Sequence, residues 1–140
     1  MAPPMTPRVL LVDDEPAILG ALRRIVQKAR PDAVVVYASD VATATWQLQT
    51  TAIRFVITDM RMGKDHEGGW SVVEAAQALG VASVIITGNT EPSTIERARR
   101  LGVRILTKPV NAMALAKMVE EVFATTSTGD FPAIPMAANG

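Results

Sequence analysis

Val9-Leu10-Leu11-Val12-Asp13-Asp14-Glu15-Pro16 sets four apolar residues against three consecutive acids and a proline. A short apolar run bounded by turn-forming residues reads as a buried strand, and a proline suits the first turn of a helix. Beyond Pro16, residues Ile18, Leu19, Leu22, Ile25, Val26 and Ala29 fall on one helical stripe that Pro31 stops. Four more apolar runs follow at intervals: Val34-Val35-Val36-Tyr37, Phe55-Val56-Ile57, Val84-Ile85-Ile86 and Val103 to Leu106. They are continuous rather than alternating, as expected of parallel strands covered on both faces.

Helical stretches lie between the runs. One starts after Ser39 or Asp40 as N-cap and reaches about Thr50; a third carries Val72, Val73, Ala76 and Leu79 on its core face and closes at Gly80. A fourth spans Glu91 to Leu101 before Gly102, and Asn111 caps a fifth whose core face is Leu115, Met118, Val119 and Val122. Five strand-helix units with short connections predict a doubly wound α/β sheet, because parallel crossovers need a helix and are right-handed. The pattern fills residues 7–124. Residues 125–140, with Pro132 and Pro135 and no periodicity, read as a flexible tail.

Composition narrows the function classes. The chain has 140 residues, 49% hydrophobic and 20% charged, which suits one globular domain with no room for a second, DNA-binding one. Its longest apolar run, Ala33 to Ala38, is far below the roughly 18 residues of a membrane span. The proline-broken start lacks the basic-then-apolar order of a secretory signal, so a cytoplasmic location is expected. There is no cysteine to staple the fold or bind metal as thiolate, and 14 basic residues balance 14 acidic ones. Bulk charge therefore offers no reason to expect nucleic acid as a partner.

The chemistry sits at the strand exits. Asp13, Asp14 and Glu15 follow the first strand, Thr58-Asp59 the third, Thr87 the fourth and Lys108-Pro109 the fifth. In an open α/β sheet these positions share the edge where ligands bind. Taken singly, each residue reads as a helix-entry cap, a turn or a solvated charge; occurring together after successive strands, they point to one pocket. Three carboxylates in a small space raise one another's pKa unless a cation intervenes, and Mg²⁺ accepts a few carboxylates while keeping waters for a phosphoryl oxygen. Asp59 is the candidate nucleophile toward a phosphoryl donor, Lys108 the group that screens the added anion, and Thr87 a hydroxyl donor that gains its partner on phosphorylation.

The set Asp13-Asp14, Asp59, Thr87-Gly88 and Lys108-Pro109 resembles the receiver domain of two-component response regulators. The resemblance implies a flavodoxin-like five-stranded parallel sheet in the order 2-1-3-4-5 with five helices. It implies Mg²⁺ held by Asp14, Asp59 and the backbone carbonyl of Arg61, with Asp13 acting mostly through water, and a cis peptide before Pro109. It also implies a phosphoryl supply from a sensor histidine kinase or histidine phosphotransfer protein, and a downstream protein target. Such a chain catalyses only its own phosphorylation and dephosphorylation. The competing reading within the family is a degenerate receiver that acts as a phosphorylation-independent interaction module.

Several positions depart from the family pattern. Gly63 stands where a proline is common, and Lys64-Asp65-His66-Glu67-Gly68-Gly69 makes the loop after Asp59 about two residues longer. Ile105 takes the place of the aromatic residue whose rotation reports phosphorylation, in a fifth strand one residue shorter than common. Arg61 and Asn89 occupy the two positions that tune phosphate lifetime in the family. Arg97, Arg99, Arg100 and Arg104 read as a solvated basic face, and His66 as a polar loop residue. A phosphatase is disfavoured because Asp59-Met60-Arg61 lacks a second aspartate, and flavin binding because no Ser/Thr/Gly-rich loop follows the first strand.

Overall fold

The computed structural model describes residues 6–124, so the expected tail over residues 125–140 lies outside the described residues. Within them, strands and helices alternate: β1 (Arg8–Val12), α1 (Pro16–Ala29), β2 (Val34–Ala38), α2 (Val41–Thr50), β3 (Phe55–Asp59), α3 (Gly68–Ala78), β4 (Ala82–Thr87), α4 (Pro92–Leu101), β5 (Arg104–Thr107) and α5 (Ala112–Ala124). The strands form one parallel sheet in the order β2-β1-β3-β4-β5, the doubly wound order expected. No helix among the described residues is long and apolar enough to cross a membrane.

Alternation along each strand divides the core between the two faces of the sheet. Val9 and Leu11 pack with Leu22 and Val26 of α1 and Leu115 and Val119 of α5. Leu10 and Val12 face the other way, against Ala44 and Leu48 of α2 and Val72 and Ala76 of α3. A third cluster joins Ile85 and Ile105 to Trp70 and Val73 of α3 and Ala98 of α4. Since β1 and β3 are buried on both faces, their polar ends are held rigidly at the sheet edge.

Helix ends follow local rules. Asp40 Oδ1 accepts the Thr43 N–H at 2.7 Å, and Asn111 Oδ1 accepts the Ala114 N–H at 3.0 Å. Gly102 takes the left-handed conformation after α4, with φ 69°, letting the Val103 N–H return to the Ala98 carbonyl at 3.0 Å.

Two expectations need correction. β2 is an edge strand with a partner on one side only, and Val34 and Tyr37 stay 42% and 43% exposed despite the continuous apolar run. Leu79 is not on the core face of α3. The helix ends at Ala78, and Leu79 sits in the unwinding C-cap, half exposed, where the chain turns through Gly80 toward β4.

The start of α3 rests directly on the end of β3. The Gly69 N–H donates to the Met60 carbonyl at 2.8 Å. A Cβ at Gly69 would collide with the Asp59 carbonyl oxygen and lie 2.6 Å from Met60 Cα, whereas a Cβ at Gly88 meets nothing within 4 Å. In urea unfolding, Gly69→Ala is expected to cost about 2 kcal/mol or more through backbone overpacking, and Gly88→Ala to stay within about 0.5 kcal/mol of wild type. Equal stabilities for the two variants would show that α3 does not bear on the Asp59 backbone.

Candidate functional site

In-register parallel pairing carries the strand exits to one edge. Val12 lies beside Thr58, Asp59 beside Ile86, and Thr87 beside Thr107. Backbone bonds extend the ladder past the strands: the Asp13 N–H to the Ala38 carbonyl at 3.1 Å, Met60 to Ile86 at 3.0 Å, and Lys108 to Thr87 at 3.0 Å. The structure thus brings together Asp13, Asp14 and Asp59, with one carboxylate oxygen of each within 4.8 Å of the others. Lys108 Nζ stands 3.2 Å from Asp59 Oδ1. The peptide before Pro109 is cis.

Asp13, Asp59 and Thr87 are buried, while Asp14 and Lys108 reach solvent. Burial pushes the Asp13 carboxyl up to about 6. The Glu15 N–H, which Asp13 Oδ1 accepts at 2.9 Å, opposes the shift; the charges of Asp59 and Asp14 add to it, and Lys108 offsets part of it. Burial outweighs mutual repulsion there, and the Asp13 side chain closes a turn onto Glu15, the N-cap of α1, rather than capping the helix itself. A buried carboxylate held between two others, with one ammonium nearby, is a donor set short of positive charge. Hard oxygen ligands in that spacing fit a small divalent cation.

A cavity of about 740 Å³ opens over Asp59, bordered by Arg61, Thr87, Gly88, Asn89 and Lys108. Thr87 Oγ1 accepts the Asn89 N–H at 2.9 Å, which leaves its hydroxyl hydrogen available to a new acceptor over Asp59. Arg61 and Asn89 both line the cavity, as their positions in the sequence suggested.

Other contacts were not legible beforehand. Arg61 Nε–H donates to His66 Nδ1 at 2.9 Å, so the loop histidine braces a residue of the cavity wall. The Gly63 N–H donates to Asp14 Oδ2 at 2.9 Å; the only sign in the sequence was a missing proline. Arg97 pairs with Glu67, with its guanidinium 4.7 Å from the Trp70 ring centre, which links α4 to the loop before α3. The solvated basic face is therefore only partly present. Arg99 and Arg100 are exposed, but Arg104 is buried and bonded to Glu121 of α5 at 2.8 Å, because it lies on a strand covered by that helix. Ile105 is buried among Ile85, Trp70 and Val73.

Between its ordinary value and about 6, Asp13 binds its proton more tightly in the folded chain than in the unfolded one. Its contribution to stability is therefore present at low pH and lost as pH rises through 6. Asp13→Asn should accordingly melt above wild type at pH 7 in metal-free buffer, with the gap narrowing toward pH 4. A gap independent of pH would contradict the burial of this carboxyl.

The model of the response regulator receiver domain matches residues 9–120. The fold superposes on the CheY-like receiver domain protein from Methanospirillum hungatei JF-1 with a TM-score of 0.72 and 22% identity, over 84% of this chain and 93% of that one. Vibrio cholerae chemotaxis protein CheY4 gives 0.71 and 24%, over 84% and 99%, and an uncharacterized protein from Neptuniibacter caesariensis gives 0.73 and 29%, over 84% and 87%. No curated protein matches the chain. The structural likenesses speak for the fold, and the family match, which spans the strand exits from Asp13 to Lys108, settles the lineage: the chain belongs to the response regulator receiver domain family.

Proposed function

We propose that this chain acts as a response-regulator receiver that takes a phosphoryl group onto Asp59 in a Mg²⁺-dependent reaction and thereby switches a protein–protein contact in the cytoplasm. The observation that carries the reading is the meeting of three carboxylates within 4.8 Å beside an ammonium 3.2 Å from the candidate nucleophile. Asp13, Asp14, Asp59 and the Arg61 carbonyl are the groups that would hold Mg²⁺. When bound, the ion would supply charge neutralisation for the transferring phosphoryl group.

A carboxylate oxygen of Asp59 attacks phosphorus, and the bond from phosphorus to the donor nitrogen of a phosphohistidine breaks. The imidazole leaves with the bonding pair and takes a proton. A sensor histidine kinase or histidine phosphotransfer protein is the donor in this reading. The chain's own part is positioning and electrostatics. Lys108 faces the acyl phosphate formed, and the Thr87 hydroxyl donates to one of its oxygens. Because Thr87 also holds the Asn89 N–H, movement of its hydroxyl draws on the loop before α4, where a downstream protein would read the change.

Intact mass after exposure to Mg²⁺ and acetyl phosphate should show one phosphoryl addition in wild type and none in Asp59→Asn. Wild type without that gain would instead indicate a phosphorylation-independent interaction module. Thr87→Ala is expected to keep the mass gain but to reduce the phosphorylation-induced amide shift changes at residues 88–91, because one charge-assisted hydrogen bond is lost. Undiminished shifts in that variant would remove Thr87 from the coupling.

A further inference from the structure

The loop after Asp59, expected to be about two residues longer than is common, is folded. Met62 and Asp65 exchange backbone bonds, N–H to carbonyl at 3.0 Å and 2.9 Å, around the two-residue turn of Gly63 and Lys64. Gly63 has φ +58°, the left-handed value that favours glycine in such a turn. Met62 is buried against the α2–α3 side of the core, and a Cβ at Gly68 would lie 3.0 Å from its Cε. On the far side Asp65 Oδ1 accepts the Glu67 N–H at 3.0 Å. The turn is thus anchored at both ends, and its position aims one backbone donor outward: the Gly63 N–H, onto Asp14 Oδ2 at 2.9 Å, across 49 residues of sequence.

Asp14 is the exposed member of the acidic cluster, and an exposed aspartate on a strand-end loop is otherwise free to change rotamer. A backbone amide bonded to a carboxylate is charge-assisted and directional, and groups that orient a metal ligand in this way contribute strongly to affinity. Proline, the residue common in the family here, carries no N–H and cannot adopt φ +58°.

We infer that Gly63 is a positioning residue for cation binding: its amide holds the Asp14 carboxylate beside Asp13 and Asp59, and the lengthened turn exists in a form that delivers that amide. The role rests on the reading of Asp14 as a Mg²⁺ ligand. It differs from a lid, because the turn acts on the ligand and not on the donor's access to Asp59.

The test is a Mg²⁺ titration of the whole chain followed by calorimetry and by amide chemical shifts of residues 13–14 and 59–63. Gly63→Pro, which removes both donor and turn, should weaken Mg²⁺ binding about 10- to 100-fold. Gly63→Asn, which keeps the N–H and tolerates a left-handed φ, should restore affinity close to wild type. A purely structural role for glycine would not show that rescue. Should Gly63→Pro not fold, hydrogen exchange of the wild-type chain without metal decides: the Gly63 amide should be protected, and loss of that protection in Asp14→Ala should follow. An unprotected Gly63 amide, or equal affinity in folded Gly63→Pro, would overturn the inference while leaving the metal reading standing. Absence of Mg²⁺ binding by wild type would overturn both.

Discussion

Three carboxylates forced together at the end of a buried sheet are the constraint around which the molecule is arranged. Asp13 and Asp59 cannot retreat into solvent, because β1 and β3, whose ends they mark, are buried on both faces and register-locked to each other. The cost of holding that charge out of water appears in the elevated Asp13 carboxyl and is reduced by what surrounds it. The Glu15 amide, the Lys108 ammonium and the Gly63 amide on Asp14 all bring positive ends toward the cluster. The donor set of such a site suits a small divalent cation.

The loops beside the cluster are tied to it through few bonds. Thr87 Oγ1 accepts from Asn89, and Asn89 Oδ1 in turn accepts the Glu91 N–H at 2.9 Å, so the hydroxyl, the loop and the entry of α4 form one chain. On the neighbouring side, Glu67 before α3 pairs with Arg97 of α4 over the nearly buried Trp70 indole. With Ile105 filling the β5 position among these same residues, the large aromatic of this face comes from α3. The Asp59 edge and α4 are therefore joined by two sets of contacts, neither of which involves an aromatic residue on β5.

Particular residues show what could be read in advance. Pro16, Asp40, Asn111 and Gly102 marked helix ends correctly because caps are local chemistry, decided within a turn of chain. The residues of the candidate site were also legible, since parallel strands send their exits to one edge whatever the details of packing. Leu79 misled because periodicity continues through a C-cap where the helix does not. β2 misled because its continuous apolar run implied cover on both faces, whereas at the sheet edge Val34 and Tyr37 stay exposed. Arg104 misled because charge suggests solvent until a covering helix supplies Glu121.

The order of residues alone determined the alternation of strands and helices, the class of fold and the identity of the groups at the strand exits, because those depend on period, caps and right-handed crossover. Only tertiary structure decided that burial raises the Asp13 carboxyl, that Gly63 reaches Asp14, that His66 reaches Arg61 and that Arg97 spans from α4 to Glu67. Those outcomes depend on burial and on distances between segments up to 49 residues apart, and neither quantity exists until the sheet has assembled.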